Sequence, residues 1–334
     1  MAEEFEPKSA VYTPQQVVTY GVQAIRNARD NAMRGLGVGI ADIRDYFAPV
    51  LPGQVCAIIA QTSQYKSGFL HFIEHEGAKQ LMTDGRNDEI MIHVSVEECV
   101  EEQAFLEFAR YSKEDAGKLA RGQVQDWDRL MDAAVKVGDI PIYRIGDSLA
   151  RAEDMPSLYL SNMIRSIQVL TENLLDWKPK VAGLFFDYLQ AFPYDPEHKG
   201  SGPSEEKRRL QVRSDMYRLR QAAAYFKCPV FVAVQAKQVL DGANPPMMLP
   251  GIYDGEESSS IAQRCDRVIT LWMPKQTHPI GSRITNSSGS IDFKVAENQL
   301  WIKVAKQRGG LPSGKIFPCL VNFNANTIAP EYKP

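Results

Sequence analysis

A lysine and a hydroxyl side by side at the mouth of a helix, with an aspartate at the tip of a distant apolar run, suit phosphate and divalent-cation chemistry. The first half lies in Ala60-Gln61-Thr62-Ser63-Gln64-Tyr65-Lys66-Ser67-Gly68. Here Lys66 supplies a point charge for β- and γ-phosphates, Ser67 a hydroxyl for Mg²⁺, and the loop from Ser63 to Gly68 a helix N-terminus pointing at the anion. Both glycines of the usual G-x-x-x-x-G-K-[ST] pattern are replaced, by Ala60 and Tyr65. Taken alone, the segment reads more simply as a strand-to-helix turn with a surface lysine. The second half is Phe185-Phe186-Asp187-Tyr188-Leu189-Gln190, where Asp187 either holds Mg²⁺ through water or caps a helix. In Ser95-Val96-Glu97-Glu98, a carboxylate could orient and deprotonate an attacking water. Gln235 ends another apolar run with an amide that could touch a γ-phosphate. Each residue has a capping or surface explanation; what argues for chemistry is that all stand at strand ends, where open parallel sheets bind ligands.

A competing chemistry is written at His71-Phe72-Ile73-Glu74-His75, which matches the H-x-x-E-H pattern of inverted zinc peptidases. The sequence names no third ligand for it.

These residues need a sheet to bring them together, and the apolar pattern supplies one. Runs 54–60, 90–96, 140–145, 181–187, 229–234 and 267–272 read as strands buried on both faces, with helical patterns at 158–175 and 213–226 between them. The expected fold is α/β, a mostly parallel sheet covered by helices on both faces. Leu300 to Ala305 and Ile316 to Phe323 flank a Gly/Pro turn and predict a C-terminal hairpin at the sheet edge. Residues 191–207 are expected to form a long loop. Upstream, Thr13-Pro14-Gln15-Gln16 opens a helix whose Val18, Val22 and Ile25 recur at helical spacing until the Gly35-Leu36-Gly37 hinge. Its apolar stripe calls for a partner surface, on the same domain or on a neighbouring subunit.

Composition closes off other classes. The 334 residues carry 38 basic and 41 acidic side chains, a net charge of −3, with 44% hydrophobic residues. That is ordinary globular composition, and it excludes both disorder and a basic polymer that coats DNA. Five scattered cysteines without a Cys-x-x-Cys pair suit reduced thiols. No apolar run reaches the ~18 to 20 residues of a membrane span, and the acidic start lacks a signal-peptide core, so a soluble cytoplasmic protein is expected.

The chain resembles the C-terminal RecA-type ATPase domain of replicative DnaB-type helicases. The resemblance runs from the linker helix to about Pro330 and rests on IIAQTSQYKSGF, SVEE, DWDRLMDAAVKVGDIPIYRIGD, FFDYLQAF, CPVFVAVQAKQ, EESSSIAQRCDRVITLW and WIKVAKQRGGLPSGKI in that order. It implies a RecA-like P-loop fold over 35–330, with 1–34 as a tail and linker helix docked on a neighbouring subunit and no large collar domain before it. It implies ATP and Mg²⁺, with Lys66 and Ser67 on phosphate and metal, Glu97 polarising the water, Asp187 holding the metal and Gln235 sensing the γ-phosphate. Lys306 and Arg308 match the basic pair that such proteins extend into the neighbour's nucleotide, so the implied assembly is a homo-oligomer, a hexameric ring. The implied work is translocation on single-stranded DNA or duplex unwinding in DNA replication, with replication or mobile-element proteins as partners.

Two departures bear on that expectation. Tyr65 stands where the family has the glycine before the lysine, at a strain of about 1 to 2 kcal/mol if the position demands positive φ. Glu256-Glu257-Ser258-Ser259 replaces the family's Arg-Glu-Ser-Gly, setting an acid at a DNA-backbone contact and weakening the expected grip. Lys207, Arg208 and Arg209 are the candidate substitutes. The alternative reading is a non-hydrolysing family member that binds nucleotide or DNA as a structural or loading subunit.

Overall fold

The computed structural model describes residues 12–29, 35–149, 158–193, 195, 205–237, 249–255, 260–285 and 292–331. Its centre is β1 (Val55–Ala60), in which every residue is buried. Successive side chains of a strand face opposite ways. Cys56, Ile58 and Ala60 therefore enter one apolar core with Phe69, Leu70 and Ile73. Val55, Ala57 and Ile59 enter a second with Met216, Leu219 and Ile261. A strand with no polar face is stable only between two covering layers. One layer is α2 (Ala41–Arg44) with α3 (Lys66–Thr83); the other is α7 (Leu160–Val169), α8 (Glu205–Tyr225) and α9 (Ser260–Arg264).

Flanking β1 are β5 (Val230–Gln235) and β6 (Arg267–Trp272), both parallel to it. Beyond β5 the sheet continues in parallel through β4 (Lys180–Asp187), β2 (Glu89–Ser95) and β3 (Ile142–Ile145). Beyond β6 it turns antiparallel through β9 (Gln299–Gln307), β10 (Ile316–Asn322) and β11 (Thr327–Pro330). The order across the nine strands is β11-β10-β9-β6-β1-β5-β4-β2-β3. A separate pair joins β7 (Arg283–Thr285) to β8 (Asp292–Lys294). Beside the main layers, α4 (Val100–Ser112), α5 (Ala116–Leu119) and α6 (Trp127–Gly138) close a small core around Ala109, Leu119 and Leu130.

The eight expected strands form, with ends displaced by no more than two residues. The expected hairpin is β9–β10, extended by β11 into three antiparallel strands. The long loop is shorter than expected, because α8 begins at Glu205 and takes in residues 205–207. The helical pattern at 158–175 becomes α7 followed by a π-turn, Leu170–Leu174. At the start of α1 (Pro14–Arg29), the Thr13 N–H donates to Gln16 Oε1 (2.8 Å) and the Gln16 N–H to Thr13 Oγ1 (3.2 Å). This is the reciprocal cap the sequence announces. Val17, Val18, Val22 and Ile25 of α1 are exposed. At Gly35 a Cβ would come within 2.5 Å of the Val50 carbonyl oxygen, so only glycine lets the chain enter the Leu36–Val50 bridge.

Because β1 is buried on both sides, its side chains have no room to relax around a cavity. Ile58→Ala is expected to cost about 2 to 5 kcal/mol, read as a lower urea midpoint at unchanged slope.

Candidate functional site

The carboxyl ends of β1, β2, β4 and β5 open onto a cavity of about 600 Å³, lined by Thr62, Ser63, Tyr65, Lys66, Ser67, Gly68, Glu97, Tyr188 and Gln235, with Met273, Lys275 and Phe323 on the far wall. Lys66 starts α3, so its side chain and the first N–H groups of an 18-residue helix face the same space. Its Nζ donates to Gln235 Oε1 (3.1 Å) and lies 4.0 Å from the centre of the Tyr188 ring. Gln235 in turn donates through Nε2 to Thr62 Oγ1 (2.8 Å), and its backbone N–H donates to Gln190 Oε1 (3.0 Å). Gln235 is therefore held between the loop and the lysine. Thr62, Tyr188 and Gln190 are members of the site that residue type alone did not single out; their signal was adjacency to Ser63, Asp187 and Leu189 at strand ends.

Asp187 is the last residue of β4 and is fully buried. Neither of its carboxylate oxygens has a hydrogen-bond partner among the described residues. Its backbone is in register with Ser95, the end of β2. Ser95 Oγ accepts from the N–H groups of Glu97 (3.3 Å) and Glu98 (3.0 Å), which turns the chain so that Glu97 reaches the cavity. Burial depresses the Lys66 amine below the ordinary lysine value, with Asp187 and Glu97 pulling it back up. Burial and then the charge of Asp187 raise the Glu97 carboxyl above the ordinary glutamate value, against the pull of Lys66. A lysine, a polarised carboxyl and an uncompensated buried carboxylate thus meet in one cleft. Because an unpaired buried carboxylate is costly, the arrangement is suited to receive a cation.

Tyr65 adopts φ 65° and ψ 28°, the left-handed conformation a glycine would supply, and Ser63 also has positive φ, 62°. The tyrosine ring folds away along the first turn of α3. It meets Phe323 edge-on at 5.6 Å between centroids, its hydroxyl contacts the Asn326 side chain, and it covers Gly68 so closely that a Cβ there would lie 2.4 Å from the ring. The backbone of the loop keeps its helix-entry turn, with the Phe69 N–H on the Tyr65 carbonyl (2.9 Å).

The remaining expected residues fall elsewhere. Gln64 is buried and its side chain accepts from the Met273 N–H, so it does not line the cavity. Lys306 and Arg308 lie at the opposite end of the sheet. Lys306 Nζ donates to the Ala262 and Cys265 carbonyls, and Arg308 Nη1 to Asp266 Oδ1 (3.1 Å), beside the start of β1. They are anchored side chains and not a free hairpin tip. Arg208, expected in a loop, lies in α8 and donates to the Phe192 carbonyl (3.2 Å) and Gln211 (3.1 Å), which makes it a brace for the chain after β4. Arg209 is exposed, and the Lys207 side chain and the Glu256-Glu257-Ser258-Ser259 segment lie outside the described residues. The H-x-x-E-H residues do not form a hydrolytic centre. His75 faces Glu107 (3.3 Å) and Tyr111 (3.2 Å), His71 faces Glu74 and Glu98, and all of the motif's polar residues are buried, without the open position a catalytic zinc needs.

Comparison with known proteins gives four findings. A family model described as the DnaB-like helicase C terminal domain matches residues 35–327. The fold is similar to a solved structure described as an "ATPase Domain", at a TM-score of 0.69 and 16% identity over 96% of this chain and 100% of that one. It is similar as well to "The Structure Of A DnaB-Like Replicative Helicase And Its Interactions With Primase", at a TM-score of 0.69 and 17% identity over 96% of this chain and 67% of that one. No curated protein sequence matches the chain.

At Tyr65 the magnitudes decide the sign of a substitution. Relieving left-handed strain returns about 1 to 2 kcal/mol, whereas losing a partly buried ring costs up to about 2 to 3 kcal/mol and its aromatic contact about 0.5 to 1.5 kcal/mol. Tyr65→Gly is therefore expected to lower stability by roughly 1 to 3 kcal/mol in chemical denaturation; an increase in stability would show that strain dominates.

Proposed function

The chain belongs to the DnaB-like helicase C-terminal domain family, and from that premise we propose that it hydrolyses ATP in the cavity at Lys66, as a ring of its own copies, hexameric in number, acting on single-stranded DNA. The observation that carries the reading is the fully buried Asp187 with two unpartnered oxygens beside Lys66 and Glu97.

The residues present fit Mg²⁺, because Ser67 offers a hydroxyl in the cavity and Asp187 an anionic acceptor behind it. When bound there, Mg²⁺ would neutralise β- and γ-phosphate charge. Lys66 would exchange its bond to Gln235 for a phosphate oxygen, which releases Gln235 to report whether the γ-phosphate is present. Glu97 would orient the attacking water and accept its proton; its raised pKa makes it a better base than an ordinary glutamate. Lys306 and Arg308 would act on the neighbour's nucleotide, stabilising the charge of the transferring group. In this arrangement the exposed Val18, Val22 and Ile25 stripe of α1 docks on the adjacent subunit. With Arg208 occupied internally, DNA contact would draw on other cations. No helix among the described residues is long and apolar enough to cross a membrane.

The test is ATP turnover with and without single-stranded DNA. Lys66→Ala and Arg308→Ala should each abolish it, the arginine by on the order of 10³-fold or more, while mixtures of the two variants recover part of the rate because each supplies what the other lacks. Wild-type chain that binds ATP without DNA-stimulated turnover would leave the non-hydrolysing reading standing. Turnover should fall on acidification along a limb above the ordinary glutamate pKa, and Glu97→Gln should remove both the rate and the limb. Val18→Ser with Ile25→Ser should lower the assembly's mass in sedimentation while leaving the unfolding midpoint within about 0.5 kcal/mol of wild type per substitution.

A further inference from the structure

Beneath α3 a second polar cluster is sealed in the core. His71 and Glu74 come from α3 and His93 from the middle of β2, and none of the three side chains is more than 1% exposed. We propose that His71, Glu74 and His93 form a closed structural site for a transition-metal ion of zinc's class.

The donor geometry is the first argument. Glu74 Oε2 lies 3.4 Å from His71 Nδ1 and 3.2 Å from His93 Nδ1. Yet neither imidazole atom has a hydrogen-bond partner among the described residues, nor does Glu74 Oε1. Groups at that separation, buried and without hydrogen bonds to one another, set three donor atoms within 4.8 Å of one another. Ligands at about 2.0 to 2.1 Å on a tetrahedral ion stand about 3.3 Å apart, the spacing found here on two edges. The imidazoles stack at 4.4 Å between centroids, and the third edge closes by tilting one ring out of the stack. The free Glu74 Oε1 lets the carboxylate bind through both oxygens, with a bite narrower than a tetrahedral edge.

The groups around His71 are those that serve a metal-bound histidine, whereas His93 Nε2 has no hydrogen-bond partner among the described residues. His71 Nε2 stands 3.0 Å from Glu98 Oε2, which assigns its proton to Nε2 and leaves the Nδ1 lone pair facing Glu74 and His93, the carboxylate–histidine–metal arrangement. Arg144 lies 3.5 Å from Glu74 Oε2 and donates to Gln103 Oε1 (2.9 Å), holding the carboxylate from behind. Charge supplies the third argument. The carboxylates of Glu74, Glu98 and Glu107 in this network face two guanidinium groups, Arg144 and Arg110, so its balance calls for one further cation, a metal ion or a proton on His71. His75 is excluded from the set by its contacts with Glu107 and Tyr111. The ion would staple the helix that begins at Lys66 to the strand that leads to Glu97.

The full chain, expressed with zinc in the medium and purified without chelator, should carry one equivalent of zinc by plasma mass spectrometry. Cobalt-grown protein should show the visible bands of a tetrahedral ion with nitrogen and oxygen ligands. His93→Asn and Glu74→Gln should lose the equivalent, Glu98→Gln should weaken retention against a chelator by about 10- to 100-fold, and His75→Gln and Asp187→Ala should keep it. If the ligand variants fail to fold, zinc-edge X-ray absorption of the wild type decides. Two imidazoles and a carboxylate at about 2.0 to 2.1 Å are expected, and a thiolate shell would overturn the site. Substoichiometric metal, or a melting temperature that zinc does not raise, would also overturn it. A proton on His71 would then be the cation, since the carboxylates of Glu74 and Glu98 outweigh burial and hold that imidazole at about 9.

Discussion

Everything at the candidate site depends on keeping charge at the tip of an apolar sheet. The strands that converge there are buried on both faces, so the groups at their ends sit against a medium that screens poorly. In that setting Asp187 cannot be satisfied by water from behind, and Lys66 cannot shed its charge into solvent; burial lowers the Lys66 amine while Asp187 pulls it back up, and the Glu97 carboxyl is raised by burial and by Asp187. Gln235 absorbs the residual demand by accepting from Lys66 while Thr62 accepts from Gln235. The amide is a neutral acceptor for the lysine, which keeps that charge satisfied in the folded chain.

Tyr65 shows how a local rule can be broken without losing the turn it protects. The backbone keeps the left-handed conformation, and the strain is offset by three neighbours that suit a tyrosine and nothing smaller: Gly68 below the ring, Phe323 at its edge and Asn326 at its hydroxyl. Phe323 and Asn326 belong to the turn between β10 and β11, so the phosphate loop is tied to the far antiparallel edge of the sheet. Arg110 of α4 reaches the same turn through the Ala325 carbonyl (3.2 Å). The loop, the edge strands and the α4–α6 annex are one connected body.

How much of this the sequence discloses follows from how far each signal travels along the chain. A strand buried on both faces announces itself as a continuous apolar run, and so does the residue that ends it; hence β1, β2, β4, β5 and β6, and with them Lys66, Glu97, Asp187 and Gln235, are legible. The start of α8 was hidden because charged residues at a helix entry look like loop residues, and Arg208 looked free because its acceptors include backbone carbonyls, which have no sequence signature. The pairing of His93 with His71 and Glu74 was hidden for a related reason. The H-x-x-E-H spacing draws attention to His75 on the same helix, whereas the third member sits in β2. The only trace of it is a histidine placed between Ile92 and Val94 in a strand that is otherwise apolar at its centre.

The positions of Lys306 and Arg308 carry an argument about assembly. As an antiparallel neighbour, β9 ends where β6 begins, so these two residues are fixed at the amino ends of the parallel strands, beside Asp266 and the first residue of β1. Lys66 is fixed at the carboxyl ends. Six residues of extended chain separate the two ends of β1, about 20 Å at a strand's rise per residue. No rotation of an arginine side chain spans that distance through a packed core. If these cations serve a nucleotide, it is therefore another copy's nucleotide, and the contact joins two different surfaces of the same chain. An interface of that kind is head-to-tail, and it either closes into a ring or runs on as a filament. An exposed apolar helix such as α1, set beyond the Gly35 entry, is a fitting element to span such a junction, because it can seat on the next copy without disturbing the sheet that holds the charges apart.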